Sequence, residues 1–142
     1  MITSARNQFS GVVSAHAIGA VNDEIEITLG SGMKIVAVVT RESADALGLQ
    51  VGKEVFALIK ASSVIVAGDL EGAKLSARNQ FPGTVCAVTM GSVNAEIELE
   101  IDGGETMVSI VTNGSVNRLG LMVGKKAVAI IKASSIIVGT PA

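Results

Sequence analysis

Ser4-Ala5-Arg6-Asn7-Gln8-Phe9 occurs a second time in this chain, as Ser76–Phe81. The same offset aligns Ser4–Val66 with the second half of the chain without a gap, and roughly half of the aligned positions are identical, which indicates a tandem duplication. Residues kept in both copies therefore report what one copy requires. We expect a first module over residues 1–69, a linker over residues 70–75 and a second module over residues 76–142.

Each copy predicts short strands and one short helix. Glu24–Leu29 alternates polar and apolar residues, as a strand with one buried face does. Thr40 is a suitable N-cap for a short helix that Gly48 would end. Val55–Ile59 and Val64–Val66 predict one long final strand with an interruption. The expected fold is mainly β, with two tandem OB-like five-stranded β-barrel modules that each carry a short helix.

Composition narrows the range of partners. Hydrophobic residues make up 49% of the chain but only three of them are aromatic, so two small cores would not use all of the apolar material, and we expect contacts with other chains. A net charge of −2 and few stacking residues argue against a nucleic-acid partner. The single cysteine, the absence of a signal-like N-terminus and the absence of a long apolar run favour a cytoplasmic protein with no membrane partner.

Catalytic chemistry is hard to find in the sequence. His16 is the only histidine, and Val88 replaces it in the second copy, so a packing or surface role is a better interpretation than general-base catalysis. Glu24 and Glu26 recur, but two carboxylates on one strand face are typical of a solvated surface. There is no Cys/His cluster with metal-ligand spacing, so we expect neither an enzyme nor direct metal ligands.

A set of polar residues is kept in both copies, and its members are hydroxyls, amides and cations that can donate hydrogen bonds, with almost no obligate acceptor among them. Donors near the start of a short helix, together with a cation such as Lys60, would suit a small anion. Helix capping alone could also explain Thr40 and Ser43. The duplicated set comprises Ser4, Arg6, Asn7, Thr40, Ser43, Lys60, Ser62 and Ser63, with Ser76, Arg78, Asn79, Thr112, Ser115, Lys132, Ser134 and Ser135.

A site built from donors selects among anions. Molybdate, tungstate and sulfate are fully deprotonated tetrahedral dianions at neutral pH, and donors alone satisfy their oxygens. Monohydrogen phosphate carries a proton that such a site would leave unpaired, which disfavours it. The residues leave the choice among the three dianions open.

These motifs resemble a known family. The hexapeptide, Gly11-x-Val13, Val39-Thr40-x-x-Ser43, Leu47-Gly48-Leu49-x-x-Gly52-Lys53 and Ile59-Lys60-Ala61 are similar to the Mop module of the molbindins. Two such modules in tandem resemble the di-domain molbindins, whose repeating unit is the Mop, or TOBE, module. The resemblance covers about 130 residues, in both copies.

The resemblance implies a homotrimer that binds molybdate or tungstate reversibly at module interfaces, with no covalent cofactor, for intracellular molybdenum storage and homeostasis. Another dianion such as sulfate, or a purely structural oligomerisation module, remains the alternative. By motif match, the implied oxyanion-binding residues are Ser4, Ala5, Arg6, Thr40, Ser43, Lys60, Ala61, Ser62, Ser76, Ala77, Arg78, Thr112, Ser115, Lys132, Ala133 and Ser134. A second implied site uses Gly19, Val21, Asn22, Gly91, Val93 and Asn94.

Overall fold

A computed structural model describes residues 2–142 and divides the chain into two compact units. Unit 1 consists of Met1–Lys60 and Lys132–Ala142, and unit 2 consists of Ala61–Ile131. Each unit is built on one five-stranded sheet whose neighbouring strands are all antiparallel. The units therefore correspond in number, but not in boundaries, to the two sequence copies.

The two units contain equivalent secondary-structure elements. Unit 1 contains β1 (Asn7–Ala17), β2 (Asn22–Leu29), β3 (Lys34–Thr40), α1 (Arg41–Leu47), β4 (Glu54–Ile59), a 3₁₀ turn (Ala133–Ser135) and β10 (Ile136–Gly139). Unit 2 contains a 3₁₀ turn (Ala61–Ser63), β5 (Ile65–Ala67), β6 (Asn79–Met90), β7 (Asn94–Ile101), β8 (Thr106–Thr112), α2 (Asn113–Leu119) and β9 (Lys126–Ile131).

The sheets have equivalent strand orders, β10-β4-β1-β2-β3 in unit 1 and β5-β9-β6-β7-β8 in unit 2. In each, the two outer strands also approach one another, so the sheet curls into a barrel. The expected mainly β fold with two OB-like five-stranded barrels, each with one short helix, is confirmed.

The core of each barrel comes from one face of the curled sheet. Along β2 every second residue is buried, and Ile25 and Ile27 are completely inaccessible to solvent. Ile97 and Leu99 occupy the equivalent buried positions on β7. The alternation in the sequence thus identified the buried face correctly, because side chains on a strand point to opposite faces in turn.

The last strand of each barrel comes from the other sequence copy. β5 pairs with β9 and β10 pairs with β4, so the prediction of one long interrupted strand from Val55 to Val66 is wrong. Beyond Ile59 the chain leaves the sheet at Lys60 and enters the 3₁₀ turn of unit 2. The structure also places the compact-unit boundaries at residues 60/61 and 131/132, away from the expected linker. A hydrophobic pattern identifies a strand but not the strand it pairs with. The exchange of the last strand between the two copies was therefore not predicted from the sequence.

The exchanged strands meet partners of complementary size. Gly139 on β10 lies opposite Phe56 on β4, and a Cβ at Gly139 would overlap the Phe56 ring. In unit 2 the same pair consists of Ala67 opposite Val128. The larger aromatic residue therefore faces the residue without a side chain, and the smaller Val faces Ala.

We predict that Gly139→Ala lowers the free energy of unfolding by about 1–3 kcal/mol, because the new methyl group forces the Phe56 ring out of place. The cost should shrink in a Phe56→Val background, which recreates the Val128–Ala67 combination. Urea unfolding followed by circular dichroism measures both values, since the chain has no Trp or Tyr for fluorescence.

Gly68→Ala is the matched control, because a Cβ there would meet nothing nearer than Leu119 Cδ2 at 3.9 Å. If Gly139→Ala cost the same in the wild type and in the Phe56→Val background, the two positions would not be coupled.

Candidate anion-binding site

A cleft in unit 2 brings together polar residues from both sequence copies. It has a volume of about 410 Å³ and lies between the segment that enters the unit at its 3₁₀ turn and the end of β8 with α2. Ser62 faces it from the first copy, and Thr112, Ser115 and Arg118 face it from the second. The strand exchange thus delivers Ser62 to the start of the other copy's helix. The apolar walls of the cleft are Val64, Ile65, Val66, Ile110, Val111 and Leu119.

The threonine and serine in this cleft cap the helix. Thr112 Oγ1 accepts a hydrogen bond from the Ser115 backbone N–H at 3.1 Å, and donates to Ser115 Oγ at 2.9 Å. Thr40 and Ser43 repeat this arrangement in unit 1, at 3.1 and 2.8 Å. The predicted N-caps are confirmed, as is the end of α1 at Gly48, which adopts a left-handed conformation. The cap already uses the backbone N–H of the serine, and each helix has only seven residues. We therefore consider the side-chain hydroxyls, and not the backbone of the helix, as donors to an anion.

Arg118 is a cleft residue that sequence reasoning did not select. Its guanidinium donates from Nη2 to Ser115 Oγ at 3.2 Å. The equivalent residue of the first copy is Ala46, so a search restricted to residues kept in both copies passes over it. The sequence could have pointed to Arg118, because it lies three residues after Ser115 on a predicted helix and residues with this spacing share one helix face.

The repeated hexapeptide has a structural part as well as a candidate binding part. Asn7 is buried and donates from Nδ2 to the Ile59 carbonyl at 3.2 Å, and Asn79 does the same to Ile131 at 3.3 Å. These amides fasten the start of β1 to the end of β4, and the start of β6 to the end of β9. The asparagines are therefore structural, and this accounts for their presence in both copies without any ligand.

The residues just before Asn7 lie close to the predicted lysine in unit 1. Asn7 is paired with Ile59, so Ser4–Arg6 and Lys60 extend from the same end of the β1–β4 ladder. Ser4, Arg6 and Lys60 are all exposed. The structure thus brings the hexapeptide residues Ser4–Arg6 and the predicted cation Lys60 to one edge of the barrel.

An equivalent edge exists at the end of β9 in unit 2. Ile130 pairs with Ile65 and Ile131 pairs with Asn79, so the segments that lead into β5 and β6 flank the same strand end. Ser76–Arg78 therefore approaches this end from one side, and the 3₁₀ turn with Ser62 from the other.

Each unit contains predicted site residues from both sequence copies. Lys60 and Lys132 mark the two points where the chain passes from one unit to the other. Unit 1 contains Ser4, Ala5, Arg6, Thr40, Ser43, Lys60, Lys132, Ala133 and Ser134. Unit 2 contains Ala61, Ser62, Ser76, Ala77, Arg78, Thr112 and Ser115.

The turns predicted as a second site already use much of their hydrogen-bonding capacity. The Gly19 N–H donates to Asp23 Oδ1 at 3.1 Å, and the Gly91 N–H donates to the Asn94 carbonyl at 2.8 Å. The carbonyls of Val21 and Val93 accept from the first residue of α1 and of α2, respectively. These contacts give the turns a role in positioning the helices, and the second anion site stays a prediction.

A charged cluster distinguishes unit 1 from unit 2. Asp23 is fully buried and its Oδ2 accepts from Arg41 Nη1 at 2.5 Å and from His16 Nε2 at 2.6 Å. Arg41 also binds Asp45 at 2.5 Å. His16 therefore packs against a carboxylate that holds the β1–β2 turn and the start of α1 together. The second copy has Val88, Ala95 and Asn113 at the positions of His16, Asp23 and Arg41.

Two opposing effects act on the Asp23 carboxyl. Burial by itself would raise its pKa, but the hydrogen bonds from His16 and the Gly19 N–H and the positive charge of Arg41 hold the pKa below its ordinary value. Asp23 is therefore a carboxylate at neutral pH, and its ionised form stabilises the fold.

Within residues 2–142, no group of three or more His, Cys, Asp or Glu side chains is placed to hold a metal ion. None of the helices in that range is long and apolar enough to cross a membrane.

We predict that Asn7→Ala lowers the free energy of unfolding by about 1–3 kcal/mol, because the buried Ile59 carbonyl loses its donor. Ser4→Ala, at an exposed position of the same hexapeptide, should change it by no more than about 0.5 kcal/mol. Urea titration separates the two. Equal effects of the two variants would contradict a structural role specific to the asparagine.

We also predict a contribution of Asp23 to acid sensitivity. A folded-state pKa below the unfolded value of about 3.9 gives stabilisation that is present above that pH and is lost as the pH falls through the folded-state pKa. The variant His16→Val/Asp23→Ala/Arg41→Asn, which copies the second module, should therefore lose less stability between pH 7 and pH 3 than the wild type. An unchanged pH dependence of the urea midpoint would contradict this assignment.

Comparison with known proteins agrees with the duplication. The TOBE domain family matches twice, at residues 3–66 and 75–138. A crystal structure of the cytoplasmic molybdate-binding protein ModG with molybdate bound is 51% identical and superposes with a TM-score of 0.95, over 99% of this chain and 100% of that one.

Curated relatives include the molybdenum transport protein ModE of Herbaspirillum seropedicae, 43% identical over 97% of this chain and 51% of the relative. The molybdenum-pterin-binding protein MopA of Rhodobacter capsulatus is 42% identical, over 99% and 53%. The chain spans about half the length of these curated relatives. The double family match and the full-length likeness to ModG show that the chain belongs to the TOBE domain family, as a di-domain molbindin.

Proposed function

We propose that this chain binds molybdate, and tungstate in the same way, and stores the oxyanion in the cytoplasm for molybdenum homeostasis. The observation that carries the proposal is the cleft of unit 2, where Ser62 from one copy meets Thr112, Ser115 and Arg118 from the other. The full-length likeness to a cytoplasmic molybdate-binding protein supports the same ligand and compartment.

The chemistry of the cleft suits a small dianion. Its polar side chains are three hydroxyls and one guanidinium, and none of its lining residues is a carboxylate. The Thr112 hydroxyl already donates to Ser115 Oγ, which leaves Ser62, Ser115 and Arg118 as the donors. Hydrogen bonds from charged and neutral donors can satisfy the oxygens of a tetrahedral dianion. The cleft has no carboxylate to accept the proton of a protonated phosphate, and the Thr112 and Ser115 hydroxyl oxygens already accept hydrogen bonds from within the protein, so we propose selection against phosphate. The task is binding, without a catalytic step.

The residues proposed to contact the oxyanion are those identified by motif, and they include hexapeptide residues as well as both lysines. Arg6 and Lys60, for example, extend from the same end of the β1–β4 ladder, so we propose that they contact the same oxyanion. A cation beside several hydroxyls provides charge compensation while the hydroxyls fix the orientation of the oxyanion.

We further propose that the chain works as a homotrimer in which neighbouring chains complete the sites. Large apolar side chains are exposed at equivalent positions of the two copies, which is the pattern expected of a surface covered by other copies of the chain. The exposed pairs are Ile18 with Met90, Val21 with Val93, Val51 with Val123, and Ile65 with Ile137.

Neither nucleic acid nor a membrane is a proposed partner, given the net charge of −2.

Titration calorimetry of the purified chain with sodium molybdate, sulfate and phosphate tests the ligand. We expect micromolar or tighter binding of molybdate and no heat with phosphate. Tighter binding of sulfate than of molybdate would replace the proposed ligand with another dianion. No heat with any oxyanion would overturn the proposal and favour a structural oligomerisation module, in which the Thr–Ser pairs are only helix caps.

We predict that Lys60→Ala and Lys132→Ala each weaken molybdate binding by about tenfold or more, because a charge-assisted hydrogen bond is lost. Both lysines are exposed, so the unfolding midpoint should not change. Lys74→Ala, at an exposed lysine of the linker segment, is the matched control and should bind normally. Normal binding by both Lys60→Ala and Lys132→Ala would show that the cation has been assigned wrongly.

A further inference from the structure

We infer that Arg118 is an additional anion-binding residue, and that it gives unit 2 a helix cation not paired with a carboxylate, whereas the arginine of the unit 1 helix is so paired; the two units should therefore bind a tetrahedral dianion with different strength. The inference rests on the proposed function, since it concerns the affinity of the same sites. It adds a residue that neither the repeated motifs nor their likeness to a family assigns.

The side chain of Arg118 is well placed to meet an anion. It lines the cleft with Ser62, Thr112 and Ser115, and it donates to Ser115 Oγ at 3.2 Å. Within residues 2–142 no carboxylate lies within 4 Å of its guanidinium. Its remaining N–H groups are therefore not neutralised by an acidic side chain of the described residues.

Arg118 also affects which hydrogen bonds Ser115 can make. Ser115 Oγ accepts hydrogen bonds from both Thr112 Oγ1 and Arg118 Nη2. With two donors directed at its oxygen, the hydroxyl has its own proton left to donate elsewhere, and Ser115 lines the cleft. The arginine thus adds a charge and favours Ser115 as a donor toward an anion.

The helix of unit 1 lacks the arginine that would produce these effects. Ala46 stands at the position of Arg118, and Ser43 Oγ receives a hydrogen bond from Thr40. The arginine of α1, Arg41, is held by carboxylates on β2 and on its own helix. Glu42 replaces a glycine in the first turn of the helix. The residues of α1 therefore carry a net negative charge and those of α2 a net positive charge, so we expect weaker anion binding beside α1 than beside α2.

Calorimetric titration of the full chain with molybdate at low salt, using Arg118→Gln and Arg118→Lys, tests the inference. We expect Arg118→Gln to weaken the tighter class of sites about tenfold, the change expected for one charge-assisted hydrogen bond. Arg118→Lys keeps the charge and should stay within about threefold of the wild type. The loss should diminish at high salt, because the side chain is exposed and its charge is screened.

The converse variant uses unit 1. Glu42→Gln/Ala46→Arg copies the charge pattern of α2 onto α1 and should strengthen the weaker class of sites. Wild-type binding by Arg118→Gln, or an equal loss in Arg118→Lys and Arg118→Gln, would overturn the role of Arg118 while leaving molybdate binding intact. An absence of molybdate binding by the wild type would instead overturn the proposed function. Thermal unfolding of each variant, expected to be unchanged, separates loss of binding from loss of fold.

Discussion

The backbone pairing of β10 with β4, and of β5 with β9, is the constraint on which the rest of this structure depends. Neither sequence copy forms a complete five-stranded sheet from its own residues alone, because each supplies four strands and receives the fifth from the other copy. The same exchange carries each 3₁₀ turn to the end of a strand from the other copy. Ser62 reaches the cleft beside Thr112 for this reason, and the candidate site is a direct consequence of the strand pairing.

The exchanged segments are held by contacts that differ between the units. In unit 1 the ring of Phe56 occupies the space left by Gly139. In unit 2 the buried Ser109 donates to the Val64 carbonyl at 2.6 Å, whereas Ala37 occupies the equivalent position of the first copy. After duplication the two barrels have thus kept one backbone arrangement and have stabilised it with different side chains. Divergence of this kind makes each exchanged strand fit one barrel better than the other.

Similar divergence is found around the two helices. The arginine of α1 pairs with the buried Asp23 and stabilises the fold, whereas Arg118 of α2 faces a cleft. Comparing the copies position by position predicted the shared caps correctly, since Thr40 and Thr112 make the same bonds. The same comparison wrongly included Asn7 among the possible ligand donors, because the sequence does not show that the Asn7 side chain is buried and bonded to the Ile59 carbonyl.

The sequence by itself determined the duplication, the buried faces of the strands, the short capped helices and the barrel class. The duplication follows from identical residues at a constant offset, and the strands and helices follow from residue type and spacing within a few positions of the chain. Only the tertiary structure decided which strands pair across the copies, and therefore which helix Ser62 stands beside. A β-strand offers the same backbone donors and acceptors to any partner, so local pattern cannot select among equivalent sheets. Side-chain fit over long sequence distances makes that selection, as Phe56 and Gly139 do. The role of Arg118 became visible for the same reason, because it depends on the cleft that the exchange creates.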